Sequence, residues 1–238
     1  MESYIRQELI KPIRQAVEKY RLIEDGDKII VGLSGGKDSL LLSLLMGWLK
    51  KYQIYDFELL VVHVDAGYHS DFTKVKEILK EEGIDFHIEV TNINEQIDLQ
   101  ERKSVCYRCA RLRKGVLKRL AIEKGFNKIA VGHHMDDVIE TFFMNMFENG
   151  KMAGMPPIRT EASSGLSIIR PMIGLEEQVI KRAGELLLLP VIQSSCPYNG
   201  ETNRERYKEW VETQAGEFKD FKRRIISAMG NVWTDELL

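Results

Sequence analysis

The sequence predicts an α/β fold, a Rossmann-like parallel sheet with helices on both faces and helical extensions at its two ends. Three observations carry this. Short, nearly continuous apolar runs at 28–33, 58–65 and 128–132 read as buried strands. Longer stretches with helical character alternate with them. A glycine-rich turn joins the first of these strands directly to a long apolar helix.

In chain order, Ile5, Leu9, Ile13, Val17 and Tyr20 recur along one helical face of an N-terminal segment, 1–25. Pro12 predicts a kink or break inside it. Glu24-Asp25-Gly26-Asp27 then punctuates the chain before the strand from Lys28 to Leu33. A helix follows from about Asp38 to Lys51, and the second strand, 58–65, ends in an acid. Residues 72–82 read as helix, 86–91 as extended, 104–125 as a helix with a dense basic face, 128–132 as strand and 136–148 as helix. The Gly-, Pro-, Ser- and Thr-rich segment 150–167 reads as a loop. A last strand is expected from Ser167 to Ile173, a helix over 175–188, and a charged helical segment over 201–238. With no repeat or linker, residues 1–238 are expected to form a single domain.

Composition sets outer limits. The 238 residues are 44% apolar and 29% charged, which is enough to build a core without disulfides and excludes a disordered or collagen-like chain. Lys and Arg (34) nearly balance Asp and Glu (36), so net charge alone gives no argument for nucleic acid. The longest nearly apolar run, Leu40–Leu49, is far shorter than the ~20 residues of a membrane span. The first residues, MESYIRQELIKPIRQ, are charged throughout and lack a signal-peptide core. Three cysteines cannot all pair within one chain. The expectation is a cytoplasmic protein with no membrane partner.

The sharpest local feature is Gly32-Leu33-Ser34-Gly35-Gly36-Lys37-Asp38-Ser39, set between strand and helix. Paired glycines let the backbone turn and approach a ligand closely. The helix beyond points its unpaired N–H groups and positive dipole end at the same spot. Ser34 and Ser39 add hydroxyls and Lys37 a cation, a combination that favours phosphate. The spacing fits neither a Walker A loop nor G-x-G-x-x-G. A plain strand–helix turn capped by Asp or Ser is the competing reading.

Ser34-Gly35-Gly36-Lys37-Asp38-Ser39 resembles the SGGxDS loop of the PP-loop ATP pyrophosphatases, the adenine nucleotide alpha hydrolase type of fold. His63-Val64-Asp65-Ala66-Gly67 and the segment from Gly132 through His133, His134, Asp136 and Asp137 to Thr141 fit the same superfamily, in the same order. The resemblance implies ATP cleavage between the α and β phosphates. It places Ser34, Gly35, Gly36, Lys37 and Ser39 on phosphate, and His63, Asp65 and His133 near the nucleotide. Asp38 would hold Mg²⁺, with Asp136 or Asp137 beside it. The competing readings are that Asp136 caps the helix starting there and that His63 is packed in its strand, which for His63 is the stronger of the two.

Cys106 and Cys109 stand at i, i+3 near the start of a basic helix, where neighbouring arginines and the helix dipole are expected to lower thiol pKa values. Zinc, dithiol redox chemistry and plain burial all remain open for a lone CxxC. Cys196 follows far downstream in Ser194-Ser195-Cys196-Pro197. Together with Lys151, Met155-Pro156-Pro157, Ile169-Arg170-Pro171 and Ser227-Ala228-Met229-Gly230-Asn231-Val232, these cysteines resemble the tRNA 2-thiocytidine biosynthesis family over nearly the whole chain. That resemblance implies a 4Fe-4S cluster held by Cys106, Cys109 and Cys196, with one iron free of protein ligands.

Between Arg102 and Lys128 ten basic residues face one acid, Glu123. Such a concentration neutralises phosphates, although a solvated helix face is the ordinary alternative. The leading expectation is an ATP- and Mg²⁺-dependent sulfurtransferase that adenylates C2 of a tRNA anticodon-loop cytidine and replaces its oxygen with sulfur. Asp38, Lys37 and the three cysteines would carry the chemistry. A cysteine desulfurase or sulfide would be the sulfur donor, and the chain would work as a homodimer. The alternatives are a PP-loop iron–sulfur enzyme acting on another tRNA base or a small molecule, and a non-catalytic sensor that binds nucleotide and cluster.

Overall fold

Asp27–Gly32 (β1), Phe57–Asp65 (β2), Asp85–Val90 (β3), Lys128–Ala130 (β4), Ile158–Thr160 (β5) and Ser167–Ile169 (β6) form one sheet, ordered β3-β2-β1-β4-β6-β5. This is seen in a computed structural model that describes residues 2–97, 102–192, 196, 204–233 and 235. The pairings β3–β2, β2–β1, β1–β4 and β4–β6 are parallel, and β5 adds antiparallel to β6. The chain steps outward from β1 to β3, then returns to lay β4 on the opposite side of β1. Strand order therefore reverses between β1 and β4. Loops leaving two such strand ends diverge, and the crevice between them is where open α/β sheets bind ligands.

Strand alternation divides the core. Ile29 and Val31 of β1 point to one face, where Val61, Ala130 and Ile169 join them. That face is covered by α2 (Lys11–Tyr20), α3 (Lys37–Lys51), α4 (Thr73–Glu81) and α8 (Glu177–Leu186). Ile30 points to the other face with Val62, Val64 and Ile129, under α5 (Ile93–Gln96) and α6 (Arg102–Glu123). The Leu40–Leu49 run is apolar on every side because α3 is buried nearly all round. A third cluster joins α7 (Met135–Asn149) to α9 (Arg204–Glu217) and α10 (Phe221–Met229) through Ile139, Phe143, Tyr207, Val211 and Phe221. Among the described residues, no helix is long and apolar enough to cross a membrane.

Three details differ from the sequence expectation. Pro12 does not break the N-terminal helix. The turn before it widens into a π-helical stretch, Ile5–Ile10, between α1 (Glu2–Tyr4) and α2, with the Lys11 N–H donating to the Arg6 carbonyl. A π turn absorbs the i−4 carbonyl clash that a proline ring creates inside a regular helix. The segment expected to be a loop, 150–167, contains β5, a three-residue edge strand too short to leave a periodic signal. The last strand ends at Ile169, ahead of Arg170 and Pro171, and proline cannot donate to a ladder.

Candidate functional site

The loop Leu33–Gly36 leaves β1 and turns into α3 at the crevice. Gly35 takes φ +98°, a left-handed conformation that glycine adopts without strain, and its carbonyl accepts the Ile192 N–H at 3.1 Å. Ser39 Oγ donates to the Gly36 carbonyl at 2.9 Å and accepts the Ser34 N–H at 3.0 Å. Ser34 Oγ lies 3.0 Å from Ser39 Oγ and accepts the Gly36 N–H at 3.3 Å. The two serines brace the turn across the first residues of α3, where its N–H groups face the crevice.

The second wall is the segment after β4. Gly132 packs so closely on α3 that a Cβ there would stand 3.1 Å from the Ser39 nitrogen and 3.2 Å from the Asp38 carbonyl carbon. This contact places His134 and Asp137 beside Asp38. Asp38 Oδ1 is buried without a hydrogen-bond partner. Burial pushes the Asp38 carboxyl upward, and Asp137 and Glu177 add to that, while His134 and Lys37 pull it down. A buried carboxylate oxygen with nothing to accept is expensive. A hard cation is the partner its chemistry suits.

Asp136 and Asp137 have different tasks. Asp137 Oδ2 accepts the His134 N–H at 2.8 Å, so Asp137 rather than Asp136 caps the start of α7. Asp136 is engaged on both oxygens. Oδ2 accepts the Glu177 N–H at 2.7 Å and Oδ1 takes Lys222 Nζ at 2.6 Å. His134 Nδ1 stands 3.5 Å from Asp136 Oδ2 without hydrogen-bond geometry. His133 Nδ1 accepts from Arg170 Nε at 3.2 Å, which puts its proton on Nε2, and Arg170 Nη1 donates to the Pro156 carbonyl at 2.6 Å.

His63 and Asp65 shape the third wall. His63 is buried, its ring 4.0 Å from that of Phe72, and its Nδ1–H donates to the Leu33 carbonyl at 2.9 Å. Burial lowers its pKa. Asp65 Oδ1 accepts the Gly67, Tyr68 and His69 N–H groups at 2.9, 3.0 and 3.2 Å. Burial alone would raise its carboxyl, but these three donors hold it below the usual range.

Between these walls and α6 lies a cavity of about 240 Å³. Leu33, Ser34, Val62, Val131 and Ile168 floor it, while Ala110, Arg113, Lys114 and Leu117 of α6 roof it and His133 and Arg170 close its end. Cys109 sits on the same helix, one residue before Ala110, half-buried against the same core that Tyr68 and Leu112 pack on. Its thiol pKa is raised, above all by burial and also by the charges of Cys196 and Cys106, with Arg113 opposing. This corrects the expectation of a lowered value for Cys109, because desolvation outweighs the one arginine that reaches it. It also links the three cysteines, since Cys109 feels the charges of both others. Among the described residues, no three His, Cys, Asp or Glu side chains are close enough to share a single metal ion. A cluster, whose thiolates each bind a separate iron, needs wider spacing than one ion. The residues flanking Cys196 lie outside those described.

A larger cavity of about 520 Å³ lies away from this crevice, among Pro12, Tyr20, Met155, Pro156, Ile226 and Met229. It is mostly apolar, and among its lining residues only Lys19 and Tyr20 carry titratable groups. Sequence reasoning missed Arg170 and Lys222 as parts of the site. Arg170 had a signal, in the Ile169-Arg170-Pro171 motif, whereas nothing local marks Lys222.

The PP-loop domain family model matches residues 5–186. The tRNA-cytidine(32) 2-sulfurtransferase of Syntrophotalea carbinolica is 36% identical over 243 residues, spanning 100% of this chain and 94% of its own. The protein of the same name from Geobacter sulfurreducens is 36% identical over 242 residues, spanning 98% of this chain and 93% of its own. Among solved structures, the U34-tRNA thiolase NcsA from Methanococcus maripaludis, described with its 4Fe-4S cluster, superposes with a TM-score of 0.79 at 23% identity, over 98% of this chain and 82% of that one. The NH3-dependent NAD synthetase of Campylobacter jejuni, at TM-score 0.53 and 14% identity over 96% of each chain, shares the fold.

Proposed function

The chain belongs to the PP-loop family and groups within it with the tRNA-cytidine(32) 2-sulfurtransferases, and from that premise we propose that it is an ATP-dependent tRNA sulfurtransferase acting in the cytoplasm. Its reaction joins the C2 oxygen of a cytidine to the α phosphorus of ATP, with pyrophosphate leaving. Sulfide then adds at C2, and AMP departs with the oxygen. The observation that carries this reading is the sharing of one cavity: the glycine loop floors it and the helix bearing Cys106 and Cys109 roofs it.

In this reading the Ser34, Gly35, Gly36 and Ser39 turn holds the nucleotide phosphates against the mouth of α3. Lys37 offsets charge on the departing pyrophosphate. Asp38, with its unpartnered buried oxygen, is the Mg²⁺ ligand, while Asp136 holds helices together and Asp137 shapes the loop carrying His133. Asp65 fixes the turn after β2, and His63 supports Leu33 from behind. Cys106, Cys109 and Cys196 are the ligands of a 4Fe-4S cluster, which when bound supplies an iron position without a protein ligand, able to carry sulfur. Arg113 lines the cavity, reaches Cys109 and keeps the site positive. The sulfur donor is external, a cysteine desulfurase or sulfide. The described residues contain no separate RNA-binding module, so the RNA surface is composite, and two copies of the chain build it.

The test is anaerobic purification followed by incubation with unmodified tRNA, ATP, Mg²⁺ and sulfide, with mass spectrometry of the nucleosides. The expected result is 2-thiocytidine formed with pyrophosphate release. Asp38→Ala should abolish pyrophosphate release with iron content unchanged, and Cys106→Ala should lose iron while still binding ATP. Zinc in place of iron, or no tRNA-dependent pyrophosphate, would overturn the reading.

A further inference from the structure

We propose that Lys114 of α6 and Arg159 of β5 form a clamp for an RNA phosphodiester at the rim of the cavity, next to the base that enters it. The inference rests on the reading of tRNA as substrate and says where on this chain its backbone is held. Lys114 and Lys118 lie one turn apart on α6 and both face the β5–β6 hairpin. An ion pair between Lys118 and Glu161 fastens the helix to that hairpin. The hairpin presents Arg159 opposite Ile168, and Arg170 follows directly after β6.

Three further cations thus gather about Lys114, which with Arg170 lines the cavity. Lys114 feels the charges of Lys118, Arg170 and Arg159, with the Glu161 carboxylate opposing them. Glu161 is already bound to Lys118. Arg170 is buried, with its guanidinium engaged by the Pro156 carbonyl and His133. Lys114 and Arg159 remain exposed, and among the described residues neither has an ion-pair partner. Like charges held this close raise the free energy of the empty site and favour an incoming anion.

The anion's source follows from position. Nucleotide phosphates belong at the inner end, where Ser34, Gly36 and α3 offer backbone donors. Lys114 lines the same cavity at its outer, helical wall, and Arg159 stands on the exposed edge strand. Only a polymer whose base occupies the cavity would bring a second phosphate there. An enzyme that acts on a base must first take it out of its stack, and a grip on the adjoining backbone holds it extruded.

The experiment compares wild type, Lys114→Ala, Arg159→Ala, the double variant and a control, Lys80→Ala on α4. Each holoprotein is titrated with unmodified tRNA transcript at several KCl concentrations, and separately with a fluorescent non-hydrolysable ATP analogue. The expected result is several-fold weaker tRNA binding for each single variant, with the slope of log affinity against log salt shallower by roughly 0.7–0.9 per lost contact. Affinity for the ATP analogue and the behaviour of the control should not change. Unchanged tRNA affinity and slope in the double variant would overturn the clamp. So would a loss of ATP-analogue binding with tRNA binding intact, which would assign the cations to the nucleotide. Failure of the wild type itself to bind tRNA while binding the analogue would instead sink the substrate reading, and the clamp with it.

Discussion

Lys222 Nζ lies 2.6 Å from Asp136 Oδ1, so α10 closes a buried ion pair on the head of α7. The other Asp136 oxygen caps α8 through the Glu177 N–H, and Lys208 of α9 reaches Glu177 Oε1 at 2.9 Å. The PP-loop match ends at residue 186, yet beyond that point Lys222 holds α7, whose first turn faces Asp38, and Lys208 holds the start of α8. The C-terminal helices are therefore part of the frame of the site.

Lys222→Met keeps roughly the same volume but leaves the Asp136 carboxylate buried with half its partners. Breaking a buried pair from one side costs about 3 kcal/mol. Glu212, also 2.6 Å from Lys222, has a side chain 43% exposed, and Glu212→Gln should cost less than about 1 kcal/mol. Urea denaturation of the two variants measures the difference. Equal losses would mean that Lys222 acts through Glu212 rather than Asp136.

The same network sets a pH window. Burial opposes ionisation of both carboxylates, but His134, Lys222 and the Glu177 N–H hold Asp136 well below 3.8, and Lys208 and Lys181 hold Glu177 below 4.5. Carboxylates with depressed folded pKa values contribute stability above their unfolded values and lose it as pH falls through the folded ones. Hydrogen bonding to Glu177 raises Lys208 above 10.5, and Asp136 and Glu212 raise Lys222 above it against the effect of burial. Their contribution is complete below about 10.5 and disappears as pH rises through the folded values. Unfolding free energy measured across pH should therefore fall below about pH 4 and again above about pH 10.5. Both limbs should be shallower in Lys222→Met.

The legible parts of this site were local in sequence. The strand, glycine pair and apolar helix from Lys28 to Lys51 state their geometry within a few turns, and so does the His133–Asp137 segment after β4. Relations across the fold were not legible. Lys222 and Asp136 are 86 residues apart, and a lysine in a charged helix looks the same whether it faces water or a buried carboxylate. The division of labour between Asp136 and Asp137 depends on where α8 begins, which their own spacing does not encode. For Cys109, sequence gives the nearby arginines but not the burial that outweighs them.

Gly132→Ala tests the closeness of the two walls. The new Cβ would meet backbone atoms of Asp38 and Ser39 at 3.1–3.3 Å, and backbone at a helix start cannot swing aside as a flexible side chain can. The segment after β4 must move by a few tenths of an ångström, carrying His133 and Asp137 with it. Small misplacements at reacting groups cost on the order of 10–100-fold in rate. Pyrophosphate release should fall by that order, with the thermal midpoint little changed. A collapse of stability without a selective loss of rate would assign Gly132 to packing alone.

Asp38→Asn separates the cost of the site from its use. Asp38 Oδ1 is buried without a donor, and burial pushes its carboxyl upward, so the free protein carries a charge in a place that disfavours it. Asparagine keeps the shape and removes the charge. The ligand-free variant should be as stable as the wild type or more so, by up to about 1 kcal/mol. With Asp38 as the proposed Mg²⁺ ligand, Mg²⁺-dependent pyrophosphate release should fall by on the order of 100-fold or more. A ligand that binds only the folded state raises the melting temperature with its concentration. Mg²⁺ with a non-hydrolysable ATP analogue should therefore stabilise the wild type more than the analogue alone, and in Asp38→Asn that increment should vanish. A destabilised variant with its Mg²⁺ increment intact would place the cation elsewhere and leave Asp38 a structural carboxylate.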